Sequence, residues 1–109
     1  MASELLKVAL KATLTNSEHV LINGVNGHTY TILSIIFCET AGAAETFDLF
    51  IDDGGGGTDY EIYSDQALAA NATFEHTGRI VLVDEDHLVA RTASAAVVDV
   101  VVSYLDQTR

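Results

Sequence analysis

Apolar residues in this chain recur at every second position, in short runs parted by turn-forming residues, and few folds accept that pattern. Leu6, Val8, Leu10, Ala12 and Leu14 alternate with Lys7, Lys11 and Thr13. A period of two puts one face of a strand in a core and the other in water. Asn16-Ser17 and Asn23-Gly24 bracket a short strand at His19-Val20-Leu21-Ile22, and Asn26-Gly27 turns into Thr29 to Glu39, which is apolar on both faces. A strand of that kind is central in a sandwich or covered by a partner. Phe47, Leu49 and Ile51 follow the turn Thr40-Ala41-Gly42-Ala43. Shorter runs come after them at Tyr60 to Tyr63, up to His76, Ile80 to Val83, His87 to Arg91 and Val98 to Tyr104. Asp65 to Ala72 is the one helix-tolerant stretch, and it is short enough to be a connection. About eight strands with a turn every ~8–12 residues predict an all-β fold. The expectation is a single antiparallel β-sandwich, jelly-roll-like, over residues 1–109, with residues 1–14 as an extended N-terminal strand or arm.

Charge removes two classes of partner. The formal net charge is -11, with only 5 Lys and Arg among 109 residues. Tracking a phosphate backbone takes a cation for each neutralised phosphate. The chain is therefore expected to bind neither nucleic acid nor an anionic membrane surface. The lone cysteine, Cys38, sits in the run Ile35-Ile36-Phe37-Cys38 and reads as a small core residue. Met1-Ala2-Ser3-Glu4 lacks the basic start of a secretory signal, and no apolar run approaches the ~20 residues of a membrane span. Folding in a reducing cytoplasm is the expectation.

Few residues suggest chemistry. Asp52, Asp53 and Asp59 flank Gly54 to Gly57, and carboxylates so clustered are candidates for a hard cation such as calcium. The spacing departs from the twelve-residue calcium loop, and a hairpin tip explains the glycines. No Lys-Ser or Lys-Thr follows them to make a phosphate cradle. Asp84-Glu85-Asp86-His87 could serve acid–base catalysis, but consecutive acids in a turn read as a solvated surface. His19, His28, His76 and His87 lack metal-ligand spacing, and no G-x-S-x-G elbow occurs. The sequence predicts no enzyme, no catalytic residue, no cofactor and no resident metal.

The stretch from Thr29 to Leu105 resembles a family of small virion proteins of tailed bacteriophages, head and tail structural components of about this length. The resemblance lies in ordered phrases. Thr31 to Thr40 matches a strand ending in a C-N-T-like turn, with Glu39 where Asn is frequent. Thr46 to Ile51 matches the next strand, and Gly57-Thr58-Asp59-Tyr60 a G-x-D-Y phrase. Gln66 to Thr73 matches ALAANxT. Ile80 to Leu88 resembles a phrase with Gly where this chain has Glu85, and Thr92 to Val102 the final strand. The resemblance implies a β-sandwich in an assembled particle, and it supplies no catalytic residues.

The resulting expectation is a structural protein of the virion, most of all a capsid decoration or accessory protein on the outer head surface. Its partners would be the phage capsid or other virion proteins and copies of itself, with a trimer favoured. The alternatives are a neck or tail accessory protein, or a jelly-roll carbohydrate-binding module using Tyr30, Tyr60, Tyr63 and Tyr104. Exposure separates these readings, because sugar sites need exposed aromatics around a groove and assembly needs a contiguous apolar patch. Leu6, Val8, Leu10, Ile35 and Phe37 are the expected assembly residues, and the first strand is expected to matter for docking more than for folding.

Overall fold

The computed structural model describes residues 3–54, 57–94 and 97–108. Among the described residues nine strands run in chain order: β1 (Glu4–Leu14), β2 (His19–Ile22), β3 (His28–Glu39), β4 (Glu45–Asp53), β5 (Thr58–Leu68), β6 (Thr73–His76), β7 (Ile80–Val83), β8 (His87–Thr92) and β9 (Val98–Thr108). They form two antiparallel sheets. One has the order β1-β9-β3-β6, with β7 also pairing to β3, and the other the order β2-β8-β4-β5. The expected antiparallel sandwich is what the chain forms. The connection at Asp65 to Ala72 divides between the end of β5 and a turn before β6.

The core lies between the sheets. Tyr30, Ile32, Ile35 and Phe37 of β3 and Val98, Val100 and Val102 of β9 meet Phe47 and Leu49 of β4 and Leu88 and Ala90 of β8. Phe37 and Phe47 stack across the interlayer space with ring centroids 4.1 Å apart. Each such buried aromatic contributes about 1.5–3 kcal/mol through the water it sheds. Ile35 and Phe37 are both fully buried. They were expected at an assembly interface, but they point inward and belong to the core.

The first strand departs from its expected orientation. Leu6, Val8 and Leu10 read as its buried face, yet they are 77%, 55% and 72% exposed. The cause is a bulge. Lys11 pairs with Val100 and Leu14 with Val98, so three steps on β1 oppose two on β9. Thr13 occupies the left-handed region at φ 60°. The extra residue flips the side-chain parity. Leu14 turns inward and is fully buried, and the even-numbered residues before the bulge turn outward. A second irregularity, between Ile32 and Ser34, likewise sends Leu33 outward between the buried Ile32 and Ile35. Parity also places Cys38 on the outer face, half-buried, instead of in the core.

Glu39, the last residue of β3, organises two turns. It is buried, and its carboxylate accepts backbone N–H bonds from Ala41, Gly42 and Ala43 at 2.8–3.1 Å and from Asn71 at 3.0 Å. These bonds, that from Asn71 foremost, hold its carboxyl below the ordinary value against the opposing effect of burial. The acidic turn at Asp84 to His87 is also structural. Asp84 Oδ1 accepts from Gly27 N at 3.0 Å and His87 Nδ1 from Gly24 N at 2.9 Å. A side chain at Gly24 would run into the carbonyl oxygens of Asp84 and Asp86, so only glycine lets the two loops meet.

Candidate assembly surface

Cross-strand pairing lays the outward side chains of the five-stranded sheet in rows. Leu6 stands beside Leu105, which stands beside Thr31, then Val81. Val8 aligns with Ser103 and Ser34, and Leu10 with Val101 and Ile36. Leu33 and Val83 add to the same face. Among the described residues its charged members, Glu4, Glu75 and Asp99, lie at its margins. In a chain of net charge -11, a sheet face that is apolar at its centre and carries its charges only at the margins is the feature that needs a function. Two hollows mark the face, one lined by Leu6, Lys7, Val8, Leu33, Ser103 and Tyr104 and the other by Leu10, Lys11, Ala12, Asp99, Val100 and Val101. Of the expected assembly residues, the structure places Leu6, Val8 and Leu10 here.

An ionic network around one buried carboxylate fastens the outer strand of this sheet. Asp106 of β9 is buried, and its carboxylate accepts from Lys7 Nζ of β1 at 2.8 Å and from His28 Nδ1 of β3 at 2.7 Å. Burial alone would push the Asp106 carboxyl up; the bonds from Lys7 and His28 outweigh it and hold the group below its ordinary value. The same bond raises Lys7. Sequence reasoning missed this cluster because its members lie 78 and 99 residues from Asp106 and share no local motif.

The other candidates do not converge on one site. Asp52 and Asp59 pair across β4 and β5, with Asp53 beside them, and Gly55 and Gly56 of the glycine run lie outside the described residues. Among the described residues no three His, Cys, Asp or Glu side chains gather as a metal site would require. His28 bonds Asp106, His76 accepts or donates at Nδ1 to the Tyr63 hydroxyl at 2.6 Å, and His87 holds Gly24. The tyrosines do not line a sugar groove. Tyr30 is buried, Tyr104 packs edge-on against it, Tyr63 packs between Phe47 and Phe74, and Tyr60 alone of the four is exposed.

No family model and no curated protein sequence matches the chain. Solved structures do. A capsid structure of Helicobacter pylori bacteriophage KHP30 aligns over 100% of this chain and 99% of that one, at 11% identity and TM-score 0.57. A Bacillus endospore appendage, from a family of disulfide-linked pili, aligns over 98% and 87%, at 10% identity and TM-score 0.57. The infectious bursal disease virus particle aligns over 96% of this chain and 31% of that one, at 10% identity and TM-score 0.57. At such identities the likeness is one of fold.

Proposed function

We propose that this chain is a non-enzymatic structural protein of a bacteriophage virion, and within that class a decoration or accessory protein on the outer surface of the head. The outer face of the five-stranded sheet, where Leu6, Val8, Leu10, Leu33 and Val81 are exposed together, carries this reading: a contiguous apolar patch marks a surface that another protein covers. The wrapping supports it. Setting β1-β9-β3-β6 against β2-β8-β4-β5 gives the order of two nested Greek keys, and we take the sandwich to be a jelly roll. Solved folds of this kind include a phage capsid structure and a viral particle. The net charge of -11 suits a protein that faces solvent and not packaged DNA. The apolar sheet face would lie toward the particle, and the acidic remainder toward water.

Purified particles of the phage that carries this gene test the reading. The chain should be present at a copy number set by the capsid lattice, and an amine- or carboxyl-reactive label should reach it while the head stays sealed. A chain absent from purified particles, or one labelled only after the head is opened, contradicts the proposal.

A further inference from the structure

We infer that β1 is an exchangeable strand: copies of this chain trade it, each seating its β1 on the β9 of another copy. Of the eleven residues of β1 only Leu14 is buried, and it stands beyond the bulge. Ahead of the bulge β1 pairs with β9 along its length and meets β2 and β8 only briefly. Ala9 alone of the apolar residues there packs against the core. What holds the strand is therefore its ladder to β9 and a set of polar contacts at the far end of that ladder. A segment held in this way opens at small cost while the rest of the sandwich stays folded.

The polar contacts define what β9 accepts. The buried Asp106 carboxylate takes Lys7 Nζ on one oxygen at 2.8 Å and His28 Nδ1 on the other at 2.7 Å. Gln107 Nε2 donates to Glu4 Oε1 at 3.2 Å, Ser3 N donates to Thr108 Oγ1 at 2.9 Å, and Thr108 N donates to Ser3 O at 3.0 Å. Opening β1 leaves the buried carboxylate with His28 alone and bares a row of ladder groups. The bared edge selects a strand that carries a lysine opposite Tyr104, as β1 does. The β1 of a second copy brings that lysine, Glu4 and Ser3 in the same register. The occupant is therefore a second copy, because an identical element satisfies the edge whichever chain supplies it.

The chain also carries a hinge that favours exchange. Lys11 still pairs with Val100, Leu14 is anchored in the core, and Thr15 O accepts from Thr92 N at 2.9 Å. The turning point is confined to Ala12 and Thr13. Thr13 is held at φ 60°, where a β-branched side chain is crowded. Short hinges under strain invite exchange. When β1 runs on in an extended line to a neighbour, Thr13 leaves the left-handed region, and the ladder to β9 is recovered on the neighbour. Exchange closes as a reciprocal pair or passes round a ring, and the trimer favoured from the sequence is its three-copy form. The outer sheet face then becomes composite, with Leu6, Val8 and Leu10 of one copy beside Leu105, Ser103 and Val101 of another. This inference stands apart from the virion reading, because exchange takes place in solution without a particle.

Disulfide trapping between two full-length chains tests it. Val8 and Ser103 are cross-strand partners, and such partners stand at a distance a disulfide can bridge. In a Cys38→Ala background, one chain carries Val8→Cys and the other Ser103→Cys, so no link can form within a chain. The two are mixed at equal and high concentration, oxidised, and weighed by mass spectrometry, which separates the three possible dimers. The mixed 8–103 dimer should exceed either same-chain dimer by at least ~10-fold, because only exchange holds the two thiols together. Leu6→Cys with Leu105→Cys, one step along the same face, should behave alike and guards against a variant that fails to fold. Adding Thr13→Asn to both chains should lower the mixed dimer by ~3-fold or more, since Asn tolerates the closed hinge. No mixed dimer from either pair while circular dichroism matches wild type, three dimers in the proportions of random collision, or a yield that Thr13→Asn leaves unchanged would overturn the inference.

Discussion

Lys7 Nζ stands 2.8 Å from Asp106 Oδ2, so a residue of the outermost strand is tied to a carboxylate buried in the strand beside it. β1 needs that tie. Of its eleven residues only Leu14 is buried, so packing holds most of the strand weakly and the ladder to β9 must be reinforced. Replacing Lys7 with Met keeps the aliphatic stem and removes the charge-assisted bond. Amide exchange of β1 is expected to quicken by ~10-fold or more, while β3 and β4 keep their protection. Uniform loss of protection across both sheets, or no change in β1, would contradict this role.

The two lowered carboxyls give the stability a defined acid limb. Glu39 and Asp106 are held below their ordinary values of 4.5 and 3.8. A depressed carboxyl stabilises the fold fully above its unfolded value, and that stabilisation is lost as pH falls through its folded value. Glu39→Gln should therefore lower Tm by a constant amount above about pH 5, with the gap to wild type narrowing below about pH 4. Thermal melts of both proteins from pH 3 to pH 7 read this directly, and a gap that widens in acid would refute it.

Inner and outer faces of the same sheet should respond to substitution by very different amounts. Phe37→Ala removes a ring stacked on Phe47 in the core and should cost about 3–5 kcal/mol in urea unfolding. Val8→Thr, on the outer face, should change stability by less than ~0.5 kcal/mol. Comparable costs at the two sites would mean that the outer face is packed within the folded chain.

Most of this architecture is legible in the sequence, because two-residue alternation and turn residues act locally. The strands of both sheets stand close to where Phe47, Leu49 and Ile51, or Val98, Val100 and Val102, place them. Alternation cannot say which way a strand faces when a bulge intervenes. Leu6, Val8, Leu10 and Leu14 keep one parity in the sequence, and the residues between Lys11 and Leu14 split them between solvent and core. The apolar run at Ile35 to Cys38 shows two greasy faces without saying which one the second sheet covers; the structure assigns Ile35 and Phe37 to the core and Ile36 to the outer face. Contacts such as Lys7–Asp106 and Glu39–Asn71 arise only when distant segments meet, so no window of residues contains them.

The bulge itself can be probed. A β-branched residue at φ 60° is strained, since the left-handed region crowds Cβ against the backbone. Asn tolerates that region better, so Thr13→Asn should raise stability by about 0.5–1 kcal/mol in urea unfolding. Destabilisation would show that the Thr13 side chain contributes more than its backbone costs.

The most direct measurement concerns the outer sheet face. Wild type and a triple variant, Leu6→Thr, Val8→Thr and Leu10→Thr, would be supplied to assembling particles and quantified in the purified product. Threonine keeps the strand while removing the apolar surface. The variant should match wild type in circular dichroism and stability and be absent from the particles, or nearly so. Incorporation of a folded triple variant at the wild-type copy number would contradict the assignment of this face to assembly.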